Sequence, residues 1–184
     1  MKQEIQIIGG LYRGKKITFP DSEGLRPTPN RIRETLFNWL MRDINNARCL
    51  DAFAGSGALG FEAFSRGAAK VTFIEQTPIV QKYLEKTIKQ FANPKLQLIK
   101  SDAHHYIKNT SDQFDIIFLD PPFSKNYLPQ FLDELCQFDI LAPEGLVYIE
   151  AAEISSINET QWQQLKLKRA GQVHYGLFKR TRIS

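Results

Sequence analysis

Four acidic residues in this 184-residue chain stand in equivalent places, each at the end of a short apolar run and ahead of a turn: Asp51, Glu75, Asp102 and Asp120. The last carries the most specific chemistry, because it opens Asp120-Pro121-Pro122-Phe123 after the apolar run Ile116-Ile117-Phe118-Leu119. Consecutive prolines fix φ and offer carbonyls without N–H groups, so the Asp120 carboxylate and the Pro121 carbonyl form a rigid pair of acceptors. Such a pair matches a planar exocyclic NH₂ group. The lone pair of that nitrogen is delocalised into its base; two hydrogen bonds orient the group and localise the lone pair toward an electrophile. Phe123 can stack on a base that has left its helix or loop, with Pro122 in the same substrate contact. Alone, Asp-Pro-Pro is mostly a turn; an upstream cofactor loop changes its meaning.

That loop is Asp51-Ala52-Phe53-Ala54-Gly55-Ser56-Gly57-Ala58-Leu59-Gly60. Glycines allow a sharp bend and a close ligand, and a helix N-terminus behind them offers unpaired N–H groups. The spacing Gly55, Gly57, Gly60 satisfies the dinucleotide fingerprint, with Glu75 twenty positions after Gly55 as a ribose ligand, so a nicotinamide-dependent dehydrogenase is one reading. The acid inside the motif and the second motif at Asp120 favour S-adenosylmethionine. Glu75 then accepts the ribose hydroxyls, Asp102 accepts the adenine amino group with the Ala103 N–H beside it, and Asp51 engages the methionine ammonium. Gly55 and Gly57 give the methionine part room, with Ala52, Ser56 and Gln76 as neighbours in the site. The competing role for these acids is capping the next helix, which Asp102 could do equally well.

Positioning those acids requires alternating strands and helices. The patterns predict strands over 47–52, 70–75, 96–100, 114–119 and 145–150, and helices near 58–66, 78–91, 103–108 and 127–138. This alternation builds a mainly parallel sheet with helices on both faces, where ligands bind beyond the carboxyl ends of the strands. The segments 162–170 and 172–180 flank Gly171 and read as an antiparallel hairpin closing the sheet edge. Upstream, Thr28 is a candidate N-cap and Pro29 a first helical residue for a helix whose core stripe is Ile32, Leu36, Trp39 and Leu40. Residues 4–19 read as a β-hairpin displaying Arg13, Lys15 and Lys16 beside Tyr12. We expect 1–27 to be a basic hairpin-and-loop extension and 28–184 the main domain.

Hydrophobic residues at 42% and charged residues at 24% suit a globular protein with a substantial core. There is no apolar run near eighteen residues and no leader pattern, so a cytoplasmic location and no membrane are expected. Cys49 and Cys136 lack metal spacing and read as buried thiols; His104, His105 and His174 have no partner acids at ligand spacing, so no metal is expected. The net charge of +4 is unevenly distributed: residues 1–33 carry seven Lys/Arg against three Asp/Glu, 34–165 eleven against seventeen, and 166–184 six against none. Basic ends around an acidic middle favour a polyanion. Arg31 and Arg33 strengthen this, since cations oppose the positive end of a helix dipole unless an anion is near. A non-catalytic RNA-binding protein accounts for the basic ends only.

Ile7-Ile-Gly-Gly10, Arg26-Pro-Thr28, Arg31-Ile-Arg-Glu-Thr-Leu-Phe-Asn-Trp-Leu40, the Asp51–Gly60 motif and Phe118-Leu-Asp-Pro-Pro-Phe123 together resemble the RsmD family of bacterial 16S rRNA guanine N2-methyltransferases. The resemblance runs to Gly171-Gln-Val, essentially the whole chain. It implies a class I methyltransferase fold, S-adenosylmethionine as donor, and one guanine of 16S rRNA in the small ribosomal subunit as acceptor; a monomer is expected. Arg13, Lys15, Lys16, Arg26, Thr28, Arg31 and Arg33 are then the expected RNA contacts. Asp-Pro-Pro-Phe is shared with DNA adenine methyltransferases, so adenine N6 of DNA is the alternative acceptor.

Overall fold

The computed structural model describes residues 2–22, 24–121, 127–154 and 157–181. Seven strands form the main sheet in the order β5 (Leu96–Lys100), β4 (Lys70–Glu75), β3 (Arg48–Asp51), β6 (Phe114–Leu119), β7 (Leu141–Ala151), β9 (Val173–Arg180), β8 (Trp162–Ala170). The five strands from β5 to β7 run parallel, and β7–β9 and β9–β8 pair antiparallel. The chain winds outward from β3 through β4 to β5, then returns to the other side of β3 for β6 and β7. The order therefore reverses between β3 and β6, and the crevice beyond the carboxyl ends of those two strands is the topological switch point. Asp51 ends β3 and Asp120 directly follows β6.

Side-chain alternation gives the sheet two cores. Cys49, Phe73, Ile116, Phe118 and Tyr148 pack with Leu36 and Phe37 of α1 (Asn30–Trp39), Phe61 of α2 (Ala58–Ser65) and Leu84 of α3 (Pro78–Phe91). Leu50, Ile74, Ile117, Leu119 and Val147 pack with Ile107 of α4 (Ala103–Asn109) and with Phe131 and Leu135 of α5 (Leu128–Gln137) on the other face. Expected strands and helices agree with these elements to within one or two residues, with one larger difference. β7 begins at Leu141, four residues early, because a register shift between Phe114 and Ile116 absorbs Pro143 and Glu144, the latter at φ 65°. Cys49 is buried and Cys136 half-buried, both as free thiols. No helix among the described residues is long and apolar enough to cross a membrane.

The N-terminal hairpin pairs β1 (Lys2–Gln6) with β2 (Lys16–Pro20) as a separate two-stranded sheet. Two strands cannot bury a core alone. Ile7, Ile17 and Phe19 are accordingly buried against the main body, and the turn docks on the end of α2: Leu11 N–H donates to the Ser65 carbonyl, Tyr12 N–H to Ser65 Oγ at 2.9 Å, and Ser65 Oγ to the Gly9 carbonyl at 2.6 Å. Tyr12 is turned toward the body of the protein rather than displayed. It stacks on Phe64 at 5.2 Å and meets Phe91 edge-on at 4.9 Å, while the Lys15 ammonium sits 3.8 Å from the Phe91 ring centre.

Candidate active site

The loop from Asp51 to Gly60 closes on itself through hydrogen bonds the sequence could not place. Gly57, at φ 76°, caps α2 in the left-handed region, and a side chain there would strike the Phe61 ring. A Cβ on Gly60 would come within 2.2 Å of Phe73, so the helix can lie against β4 only with glycine at that position. The Gly60 N–H donates to Asp51 Oδ2 at 3.0 Å, and Ala58 N–H to the Ser56 hydroxyl at 3.3 Å. These donors at the α2 N-terminus are taken by the loop's own side chains, one of them a buried carboxyl. The dinucleotide reading loses its main contact. Ala52 belongs to the core rather than to a ligand contact: its side chain is buried and its N–H donates to Phe118 O.

Glu75 is held from both sides, Oε2 accepting from Gly55 N–H at 3.1 Å and Oε1 from Thr77 N–H at 2.7 Å. Two backbone donors fix the carboxylate beside the glycine loop while each oxygen keeps a further lone pair for a hydroxyl. Gln76 next to it is exposed, and the Gln81 amide donates to the Glu75 carbonyl at 2.8 Å. Asp102 performs the capping role, accepting from His105 N–H at 3.0 Å at the start of α4; its exposed carboxylate still has an oxygen to offer, and the Ala103 side chain behind it is buried.

Asp120 is half-buried, and Pro121 behind it is buried; Pro122 and Phe123 lie outside the described residues. Sequence reading missed its neighbour. Leu119 pairs with Ile149, so Asp120 and Glu150 follow side by side at the ends of parallel strands, and Glu150 is 4% exposed. Thr28 does not cap α1; that helix begins at Asn30, with Pro29 at the capping position. Its hydroxyl instead crosses the sheet end and donates to Glu150 Oε1 at 2.8 Å, joined by the Tyr148 hydroxyl at 2.9 Å. A residue before proline favours extended backbone, which leaves Thr28 one position ahead of the cap, and its hydroxyl hydrogen goes to a buried carboxylate.

Asp51, Asp120 and Glu150 thus share one face of the sheet at the switch point, and no cation among the described residues pairs with any of them. Burial pushes the Asp51 carboxyl up to about 7 against the opposing Gly60 N–H, with smaller contributions from Glu75 and Glu150. Burial, then Glu150 and Asp51, raise Asp120 well above the ordinary carboxylate range, and burial raises Glu150. An acidic crevice with no paired cation among the described residues suits a cationic ligand. S-adenosylmethionine, with a sulfonium and an ammonium, fits this set; an anionic dinucleotide does not.

The basic side chains divide into two groups. Arg13, Lys16, Arg26 and Arg31 are exposed and Lys15 half-exposed, with Lys16 near Glu4 at 3.1 Å. Arg26 lies in the loop between Leu25, which lies against Gly55, and Thr28 at Glu150, which puts it beside the crevice. Arg33 is not an RNA contact. It is 0% exposed, with Nη1 3.4 Å from Glu62 Oε2 and Nη2 donating to the Gln6 carbonyl at 3.0 Å. In the C-terminal hairpin, Lys179 pairs with Glu144 and Arg180 donates to Cys136 O at 2.9 Å, whereas Lys168 and Arg169 are exposed. A shallow cleft lined by Arg48, Lys70 and Asp112 lies at the amino ends of the strands, away from these acids. Among the described residues no cluster of His, Cys, Asp and Glu could hold a metal ion.

Comparison with known proteins gives the arrangement its relatives. The family described as Conserved hypothetical protein 95 matches residues 5–179. Ribosomal RNA small subunit methyltransferase D of Haemophilus influenzae is 43% identical, covering 96% of this chain and 94% of that protein. The protein of the same name from Escherichia coli strain K12 is 42% identical, covering 96% of this chain and 90% of that one. The solved structure of yhhF from Escherichia coli superposes with a TM-score of 0.88 at 42% identity, covering 97% of this chain and 98% of that chain. Agreement of this extent in sequence and in superposition shows the class I methyltransferase fold, and the chain belongs to the ribosomal RNA small subunit methyltransferase D family.

Proposed function

We propose that the protein transfers a methyl group from S-adenosylmethionine to the exocyclic N2 of one guanine in 16S rRNA. The observation that carries this reading is the convergence of Asp51, Asp120 and Glu150, paired with no cation among the described residues, at the point where the sheet order reverses. When bound there, S-adenosylmethionine supplies an electrophilic methyl on a positively charged sulfur. Glu75 holds the ribose hydroxyls, Asp102 the adenine amino group, and Asp51 the ammonium end; Gly55, Ser56 and Gly57 form the wall beside the methionine part. Asp120 and the Pro121 carbonyl orient the amino group, with Pro122 and Phe123 completing the base contact. These residues would grip the exocyclic amino group of any base; the names of the relatives point to small-subunit rRNA. Nucleoside mass spectrometry of a host lacking the gene should show one N2-methylguanine missing from 16S rRNA and N6-methyladenine in DNA unchanged. Loss of N6-methyladenine with intact rRNA would make this a DNA enzyme.

The RNA itself is held by the exposed cations of the hairpin, the loop and the first turn of α1. Neutralising Arg13, Lys15, Lys16 and Arg31 together should weaken RNA binding and flatten its salt dependence, each lost phosphate contact removing about 0.7–0.9 from the log–log slope, with S-adenosylmethionine binding unaltered. Filter binding at several salt concentrations reads both. An unchanged slope would leave the hairpin a structural cap.

A further inference from the structure

We propose that Glu150 is a positioning residue of the reaction centre: beside Asp120, it makes a carboxylate pair that takes up the proton the amino group must lose when it is methylated. The inference rests on the methyltransferase reading and adds a residue and a step to it.

Methylation of an exocyclic amino group releases one proton. The nitrogen lone pair becomes the new N–C bond as the C–S pair is left on sulfur, and an N–H proton must leave for nitrogen to be neutral again. Asp120 is placed to accept it, but a lone solvated carboxylate is a weak base. The structure supplies what strengthens it. Asp120 directly follows β6 and Glu150 lies near the end of the adjacent parallel strand β7, each one residue beyond the Leu119–Ile149 pair, on the face covered by the loop before α1. Asp51 approaches from β3, and the other groups that face the pair among the described residues, Tyr148 of β7, Tyr175 of β9 and Thr28, are hydroxyls, with Arg26 exposed in the loop nearby. Both hydroxyls that donate, Thr28 and Tyr148, donate to Oε1 of Glu150. A hydroxyl has one hydrogen, so while it serves Glu150 the Thr28 hydroxyl cannot also donate to Asp120. The cheapest way to complete the pair is a proton on Asp120, which is where the reaction delivers one.

Glu150→Gln tests this while keeping an amide oxygen to accept from Thr28 and Tyr148. The rate of a single turnover depends on an ionised Asp120 and falls as pH drops through the pair's titration. Removing the negative charge of Glu150 makes Asp120 easier to ionise, so the acid limb should move about one pH unit lower. Glu150→Asp, which keeps the charge, should leave the limb near its wild-type position. In ligand-free wild-type protein, carbon-13 carboxyl spectra should show both side chains titrating together above the ordinary carboxylate range, a measurement that needs no variant to fold. An acid limb unmoved in Glu150→Gln, or two carboxyls titrating independently at ordinary values, overturns the pair alone. Wild-type protein that transfers no methyl group to RNA overturns the methyltransferase reading and the inference with it.

Discussion

Asp120→Ala should lower single-turnover methylation at least about a hundredfold, the scale of losing one preorganised electrostatic partner of a transition state. Two functions leave with the side chain: one of the two acceptors that orient the amino group, and the base that receives its proton. Asp51, Glu75 and Asp102 remain, so S-adenosylmethionine affinity by calorimetry should stay within about tenfold of wild type. The loss should fall on the rate at saturating RNA rather than on the amount needed for saturation, because the missing contacts matter most when the nitrogen begins to carry positive charge. Asp120→Asn separates the two functions, since its amide oxygen still accepts a hydrogen bond but takes no proton at neutral pH. It should fall near the alanine variant if proton uptake dominates, and well above it if orientation does. Normal methylation by Asp120→Ala would move the reaction centre elsewhere.

The strand-end acids were legible because a doubly wound sheet makes position along the chain nearly equivalent to position in space: each strand ends at the same edge. Asp51, Glu75, Asp102 and Asp120 could therefore be grouped from apolar runs alone. Glu150 also ends a strand, yet no glycine or proline motif follows it, and its partner Thr28 lies 122 residues away in sequence. No local pattern reports such a contact. Arg33 shows the opposite failure. Helical spacing puts Ile32, Leu36 and Leu40 on the core, and nothing in that stripe shows that Arg33, next to Ile32, is buried rather than offered to RNA. The signal that would have corrected it stands elsewhere: α2 reads Ala58-Leu-Gly-Phe-Glu62-Ala-Phe-Ser65, a helix whose one charge is buried and calls for a cation.

That buried charge carries the other large effect. Glu62 is 0% exposed and gathers three partners: Oε2 accepts from Ile8 N–H at 2.9 Å and lies 3.4 Å from Arg33 Nη1, while Oε1 accepts from Arg66 Nε at 2.7 Å. Removing it leaves the Arg33 guanidinium buried with only the Gln6 carbonyl and Asn30 Oδ1 as acceptors, its Nε already unpartnered among the described residues. Glu62→Ala should therefore cost about 3–5 kcal/mol in urea unfolding, the range for breaking one side of a buried pair. Amide exchange at Ile8 should quicken, because the hairpin loses an anchor to α2. Arg66→Ala should cost far less, since Arg66 is partly exposed and Glu62 keeps Arg33. Replacing Arg33 and Glu62 together by Met and Leu should recover most of the loss, as well-packed apolar side chains substitute for buried ion pairs. That double variant also separates structure from recognition. If it refolds and binds RNA with the wild-type salt slope, Arg33 serves only to fasten the hairpin; a slope reduced by about one phosphate contact would return Arg33 to the RNA interface.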